Sequence, residues 1–239
     1  MMKKYYGFFD NGKYKVGCNG GSIHVFDQKD VELTRFKGLS NTYKGAFRPE
    51  SNVFVAKSIS GILVAYDLDK LSLVRKINIH AEAQDEGFAF SATGDLFYNI
   101  EKPVISYRTQ LTVYDGMTFD KKAVYFDNEE KIFIQHIETY PEEMFLFGFI
   151  RGDDGVGKYP FVAKFANGEI LDIREIKSKL YETPGRWMKW FDTDYEYVKT
   201  YKDWELYGFS EKEALSHECL LQKPQPPKVT LKQIWELNG

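Results

Sequence analysis

One short pattern recurs five times along this chain and constrains its fold more than any other feature. Each copy has an aliphatic residue, two free positions and then an aromatic residue: Ile23/Phe26, Leu63/Tyr66, Leu111/Tyr114, Val162/Phe165 and Leu206/Phe209. Positions three apart lie on opposite faces of a β-strand. The pattern therefore predicts five equivalent strands, each with apolar side chains on both faces.

Each of these strands belongs to a longer repeated block. In the first two copies the block opens with an apolar strand at 5–9 and 43–47, followed by a polar turn and a second strand. After the motif strand comes a turn and another apolar run, at 31–36, 71–77, 122–126, 170–176 and 219–221. Each copy is thus predicted to hold four sequential antiparallel strands, and recurrence at a fixed period is typical of repeat architectures.

The block resembles the repeat of the WD-repeat and related propeller families. The resemblance rests on the order Phe, polar turn, strand, Gly turn and a strand that ends in an aromatic residue and Asp, as in Phe26-Asp27 and Tyr66-Asp67. It implies an all-β fold, a five-bladed β-propeller of four-stranded antiparallel blades at about 5–37, 43–79, 86–127, 132–176 and 186–222. A β-sandwich with regularly spaced strands is the alternative.

The match departs from the true WD repeat in three ways. The usual Trp before Asp is Phe or Tyr, Ala166 and Ser210 stand in place of Asp in the last two copies, and no Gly-His pair precedes a blade. The hydrogen-bonded tetrad of that family is therefore not expected. Residues 1–222 are assigned to the propeller.

Residues 223–239 are expected to form a Pro-rich linker and a C-terminal docking segment. The stretch 223–228 contains three prolines and should be extended. Residues 229–237 include Trp235 and enough apolar side chains to dock, for which the junction of the first and fifth blades is the expected place.

Charge and composition restrict the partners. A net charge of −3 exerts no long-range attraction on phosphate backbones or anionic lipid, so neither nucleic acid nor membrane is an expected partner. The N-terminus lacks the apolar stretch of a signal peptide. Two cysteines, Cys18 and Cys219, are too few and too far apart in sequence to indicate a disulfide framework. The expected location is the cytoplasm.

Blades three and four carry the longest connections between their second and third strands, at 101–110 and 151–160. Alternate turns of an up-and-down sheet share one end, so both insertions should lie on the same rim. Long loops on a rigid scaffold are where binding functions concentrate. The candidate partner-binding residues are Lys102, Tyr107, Arg108, Arg151, Asp153, Asp154, Lys158 and, from the aromatic cluster further on, Trp187. Passive length variation is the alternative for both loops, and core packing is the alternative for Trp187.

The sequence contains no complete motif for a cofactor or a metal. Residues 152–158 fit the spacing of a phosphate-binding loop, but Tyr159 replaces the Ser or Thr that would bind magnesium, and Asp153 and Asp154 would repel phosphate. The four histidines never occur at metal-ligand spacing. No cofactor, metal or catalytic residue is predicted.

The leading hypothesis is a non-catalytic interaction module that binds a protein or peptide through the loops of blades three and four. A glycan-binding propeller is the first alternative, although the blade connections differ in length and charge. The second is a hydrolase or lactonase whose carboxylates gather at the central channel, with Asp95, Glu138, Asp192 and Asp194 as candidates by position.

Overall fold

The computed structural model describes residue 5 and residues 7–58, 61–78, 87–102, 108–153, 158–166, 169–176 and 230–237. The fifth predicted copy, at 186–222, lies outside this range. Within it the secondary structure consists of fifteen strands and one helix: β1 (Gly7–Asp10), β2 (Lys15–Cys18), β3 (Gly20–Phe26), β4 (Glu32–Phe47), β5 (Val53–Ser58), β6 (Ile62–Asp67), β7 (Ser72–Asn78), β8 (Phe88–Phe90), β9 (Leu96–Glu101), β10 (Gln110–Asp115), β11 (Lys121–Tyr125), β12 (Ile132–Thr139), β13 (Met144–Arg151), β14 (Lys158–Ala166), β15 (Glu169–Glu175) and α1 (Leu231–Leu237).

The strands form four four-stranded antiparallel sheets in chain order. Sheet 1 contains β1–β4, sheet 2 contains β4–β7, sheet 3 contains β8–β11 and sheet 4 contains β12–β15. Strand β4 belongs to two sheets, because its first part pairs with β3 and its last part, from Thr42, pairs with β5. The fold is therefore all-β, as predicted, with a repeated four-stranded unit.

The continuous strand β4 corrects one detail of the sequence analysis, which placed separate strands at 31–36 and 43–47. The chain between them stays in the sheet for 16 residues. Gly38 adopts a positive φ of 95°, a conformation that costs glycine little, and Leu39 next to it is buried in the core. The connection between the first two units is thus held in place by its own apolar side chain.

The sheets bury their faces against one another in chain order. Sheets 1 and 2 meet through Val16, Cys18, Ile23, Val25, Phe54, Ala56, Val64 and Tyr66. Sheets 2 and 3 meet through Val55, Leu63, Ala65, Phe90, Phe97, Tyr114 and Phe119. Sheets 3 and 4 meet through Tyr98, Ile100, Leu111, Val113, Ile134, Ile137, Met144, Leu146, Phe161 and Phe165. An inner sheet is thus covered on both faces.

The repeated sequence pattern accounts for this two-sided burial. In sheet 2, Leu63 packs toward sheet 3 and Tyr66 packs toward sheet 1. In sheet 4, Val162 and Phe165 likewise belong to different core clusters. The aliphatic and aromatic positions therefore fill opposite faces of the third strand, as their spacing predicts. The Leu206/Phe209 pair lies outside the described residues.

The Asp that follows the aromatic position closes the turn after the third strand. The Asp67 carboxylate accepts hydrogen bonds from the backbone N–H groups of Asp69 and Lys70, both at 3.0 Å. The Asp115 carboxylate does the same for Met117 at 2.9 Å and Thr118 at 3.0 Å. These bonds favour the ionised form and hold the pKa of Asp115 well below its usual range. The Asp of the repeat is therefore a turn-forming residue.

The C-terminal helix α1 packs against sheet 4. Leu231, Ile234 and Trp235 contact the face of the sheet that is turned away from sheet 3, where they meet Phe145, Phe147, Val162 and Ile176. The apolar face of sheet 4 supplies the surface on which the helix lies. The expected docking site at the junction of the first and fifth blades includes the fifth copy, which lies outside the described residues.

Within the residues that the structure describes, no helix has the length and apolar content needed to cross a membrane.

Candidate partner-binding rim

The roots of the two long loops lie on either side of one short connection. The first loop follows β9 and returns at Arg108, and the second follows β13 after Arg151. The backbone N–H of Thr109 donates to the carbonyl of Ile132 at 3.2 Å, and the backbone N–H of Arg151 donates to the carbonyl of Lys131 at 2.8 Å. The two loops are therefore held by adjacent residues, Lys131 and Ile132, at the point where the connection between sheets 3 and 4 enters β12. We call residues 101–102, 108–110, 131–132 and 151–153 the shared rim.

Thr109 fixes the first loop to sheet 4. Its side chain is fully buried. The hydroxyl donates to the Ile134 carbonyl at 3.3 Å and accepts from the Ile134 backbone N–H at 2.5 Å. A buried two-way bond of this kind leaves the loop root little freedom, since breaking it would strand polar groups away from water.

A buried carboxylate organises the other root of the first loop. Glu101 is 6% exposed and accepts hydrogen bonds from four side chains, at 2.6 to 3.3 Å: Asn99, Gln110, Thr112 and Tyr114. Burial, followed by the negative charge of Glu101, raises the pKa of the Tyr114 hydroxyl well above its usual value. A carboxylate with this many donors is stable in a dry site and holds the ends of β9 and β10 together.

A lysine from the neighbouring sheet contacts the same region. The Lys57 ammonium, on β5, donates to the Ile100 carbonyl at 2.6 Å, and its residue is 5% exposed. The root of the first loop is thus connected to sheet 2 as well as to sheet 4. Hydrogen bonds therefore connect the shared rim to sheets 2, 3 and 4.

This polar network and the anchor at Thr109 were not predicted from the sequence. The available signal was the alternation of polar residues in strands that are otherwise apolar, with Asn99 and Glu101 on β9 facing Gln110 and Thr112 on β10. Polar residues at buried strand positions require partners, so such alternation indicates a network.

The structure describes four of the eight predicted site residues with their side chains. Lys102, Arg108 and Arg151 are half-buried at the loop roots, and Asp153 is exposed. The Asp153 carboxylate forms an ion pair with Lys131, which lowers the pKa of Asp153 and raises that of Lys131. Because both groups face water, this pair adds little to stability. Tyr107, Asp154, Trp187 and the side chain of Lys158 lie outside the described residues.

The carboxylates considered for a catalytic channel have other roles where the structure describes them. Glu138, on β12, accepts a hydrogen bond from Tyr140 at 2.9 Å and from the backbone N–H of Leu231 at 2.6 Å. Asp95 lies exposed in a turn of sheet 3. Glu138 is therefore engaged in holding the C-terminal helix. Asp192 and Asp194 lie outside the described residues.

Two histidines are built into the sheets. The ring of His24 is fully buried and contacts Ser22 at 3.1 Å and Glu32 at 2.9 Å. Burial, with a smaller effect of the Lys44 charge, lowers the pKa of His136 to about 3. In the described part of the chain, no three His, Cys, Asp or Glu side chains converge as metal ligands would.

Comparison with known proteins identifies similar folds and no similar sequence. No family model and no curated protein matches the sequence. Hydrazine synthase from Kuenenia stuttgartiensis matches in structure with a TM-score of 0.55 and 13% identity, over 70% of this chain and 51% of that one. The Neurospora crassa Pan2 WD40 domain matches with a TM-score of 0.50 and 13% identity, over 72% of this chain and 52% of that one.

The chain thus spans about half the length of the solved structures it matches. At this identity the likeness concerns the fold and not the activity. Together with the four antiparallel sheets, it confirms that the chain has a WD-like propeller architecture.

Proposed function

We propose that the chain is a non-catalytic interaction module that binds a protein or peptide through the shared rim and the loops that rise from it. The observation that carries this proposal is the bracing of both loops on one connection, through Thr109 to Ile132 and Arg151 to Lys131. Loop ends that are held in this way reduce the entropy that the rim residues lose on binding.

The composition of the rim suits a polar interface. Lys102, Arg108 and Arg151 bring positive charge and Asp153 brings negative charge. Arg is enriched among the residues that dominate binding energy in protein interfaces. The half-buried position of the two arginine residues supports a role in fixing the register of a bound chain. A net charge of −3 favours protein over nucleic acid, and we expect the partner in the cytoplasm.

The blade number belongs to the same proposal. We infer five blades, with residues 186–222 as the fifth copy, because Leu206 and Phe209 repeat the pattern that fills both faces in the described sheets. The domain assignment of 1–222 to the propeller and 223–239 to the linker and docking segment follows from this count. An experimental structure with a helix or no strand over 186–222 would contradict it.

The binding proposal is tested by quantitative capture from the source cell. The bait is the full chain, compared with a variant that carries Arg108→Ala and Arg151→Ala together. We expect at least one protein captured by the wild type to be lost from the double variant. The matched control is Lys76→Ala, which removes an exposed cation from the outer strand of sheet 2. An unchanged set of captured proteins with the folded double variant would refute the assignment of the rim.

A further inference from the structure

The last strands of sheets 2 and 4 are uncovered edge strands. In the described part of the chain, sheet 2 ends with β7 and sheet 4 ends with β15. Six of the seven residues of β7 and five of the seven residues of β15 are exposed. An edge strand presents backbone N–H and C=O groups that pair readily with another strand. Both edges are therefore accessible to a strand of a second molecule.

Both edge strands also expose apolar side chains. On β7, Leu73 is 52% exposed and Val74 is 44% exposed, and on β15, Leu171 is 56% exposed and Ile173 is 41% exposed. Val74 and Leu171 are the extra residues of equivalent β-bulges, so neither has a partner in the ladder with the strand inside it. Apolar side chains beside an uncovered edge favour association, because pairing removes them from water.

The two edges carry opposite charge. Strand β7 has two cations, Arg75 and Lys76, and no acidic residue, so its charge is +2. Strand β15 has three carboxylates and one cation, so its charge is −2. Like charges on directly opposite positions destabilise a strand pair, and opposite charges stabilise it. Pairing of β7 with a second β7, or of β15 with a second β15, is therefore disfavoured, and pairing of β7 with β15 is favoured.

We propose that the outer edge of β7 binds the outer edge of β15 in a second molecule of this chain. Sheet 2 of one molecule and sheet 4 of the next then form one continuous sheet. The two strands pair antiparallel, which is the more stable arrangement, with Arg75 opposite Asp172. Arg75 lies 3.3 Å from Asp120 of its own chain, and its side chain is still 52% exposed. The Asp172 side chain is 51% exposed.

The proposed contact joins two different surfaces and is therefore head-to-tail. Such a contact generates a closed ring or an open filament, according to the rotation between successive molecules. A pair of seven-residue strands is smaller than a standard protein interface, so association should be weak and should increase with concentration. The contact uses no residue of the shared rim. It is therefore independent of the proposed function.

Sedimentation velocity of the full chain tests the proposal. The average mass should rise above that of the monomer as the concentration increases from about 1 µM to about 1 mM, a range that suits a weak interface. The rise should be smaller in about 1 M salt, because salt screens the charges of the two strands. A wild-type chain that stays monomeric over the whole range would overturn the proposal.

Exchange of the charges identifies the two strands. One variant carries Arg75→Glu and Lys76→Glu, and the other carries Glu169→Lys and Asp172→Lys. Each variant alone presents two edges of like charge and should remain monomeric. An equimolar mixture of the two variants again offers edges of opposite charge, and it should recover the rise in mass. If both variants associate as the wild type does, or if the mixture stays monomeric, the pairing of β7 with β15 is wrong.

The matched control carries Lys29→Glu and Lys121→Glu, which change the charge by the same amount at exposed residues outside both strands. It should associate as the wild type does, and its loss of association would overturn the proposal in favour of an effect of net charge. All the exchanged residues are exposed, and circular dichroism checks that each variant is folded. If a double variant does not fold, Lys76→Glu and Glu169→Lys are used singly and together in the same way.

The rim variant with Arg108→Ala and Arg151→Ala should associate as the wild type does. This result keeps failure of the strand pairing distinct from failure of the proposed function. In the capture experiment, Lys76→Ala changes the β7 edge and leaves the rim intact, so it should lower capture of the chain's own molecules and of no other protein.

Discussion

The guanidinium of Arg174 stacks on the ring of Trp235, with 3.7 Å between them, and donates a hydrogen bond to the Trp235 carbonyl. This pair of residues joins β15 to the C-terminal helix α1, although a long segment of chain separates the two elements. A cation over an indole face and a bond to a late helical carbonyl both favour the docked helix.

Removing either partner should destabilise the folded chain. We expect Trp235→Ala to lower the free energy of unfolding by about 3 kcal/mol, because a large buried ring is lost. Arg174→Ala should cost about 1 kcal/mol. In a double-mutant cycle by urea denaturation, the pair should show a coupling energy of about 0.5–1 kcal/mol. Strictly additive effects would mean that the stacked geometry contributes nothing.

Gly45 is required by the packing between sheets 1 and 2. A Cβ atom at this position would lie 2.1 Å from the ring of Phe54, which is fully buried. Gly45→Ala should therefore destabilise the chain by about 1–3 kcal/mol, measured as a shift in the urea midpoint. Gly21 is the matched control, since a Cβ there meets nothing within 4 Å, and Gly21→Ala should change stability by less than about 0.5 kcal/mol. Equal effects of the two substitutions would contradict this packing.

The Tyr114 hydroxyl is predicted to contribute to the rigidity of the rim. It donates to Glu101 at 2.6 Å in a buried site, so Tyr114→Phe should lower the free energy of unfolding by about 1–2 kcal/mol. Hydrogen exchange of the backbone at 110–112 should become faster as well. Tyr159 is 52% exposed, and Tyr159→Phe should have no measurable effect on either quantity. A neutral Tyr114→Phe would show that the network around Glu101 does not hold the loop root.

Stability should depend on pH through His136. Burial lowers the pKa of His136 to about 3, whereas an unfolded histidine titrates near 6.5. Between these values the unfolded chain binds a proton that the folded chain does not, so the free energy of unfolding should fall as the pH drops from about 6.5 toward 3. Denaturant titrations of the wild type and His136→Asn should differ in slope over this window.

Glu138 contributes with the opposite sign and remains in both proteins. Burial raises the pKa of its carboxyl, so the folded chain holds that proton to a higher pH than the unfolded chain. The difference between the wild type and His136→Asn therefore reflects the histidine and its contact with Glu138, whose carboxylate oxygen lies 3.9 Å from the His136 ring nitrogen. Parallel pH profiles would contradict the buried neutral imidazole.

The repeated architecture could be predicted because the aliphatic and aromatic residues recur at a fixed spacing within each third strand. When both faces of a strand are covered, two residues three positions apart, such as Leu63 and Tyr66, must both be apolar. The structure places these two residues in different core clusters. The Asp after the aromatic position could likewise be recognised as a turn residue, since its carboxylate bonds to nearby backbone.

The remaining features depend on contacts between residues that are distant in sequence. Nothing near Thr109 signals that its hydroxyl will bond to Ile134, and nothing near Trp235 signals Arg174 as its partner. The position of the C-terminal helix depends on which apolar face is exposed to it, and local sequence does not contain that information. The shared strand β4 was not predicted, because the stretch between 36 and 43 was expected to be a connection between blades, whereas the structure continues the sheet through Gly38.

The central claim is that a partner binds at the shared rim, and hydrogen exchange of the full chain with and without a captured partner tests it most directly. Bound partner should slow exchange at Lys102, at 108–110 and at 151–153, and should leave the outer strand β7 unchanged. Protection confined to other surfaces, with exchange at the rim unaltered, would contradict the claim.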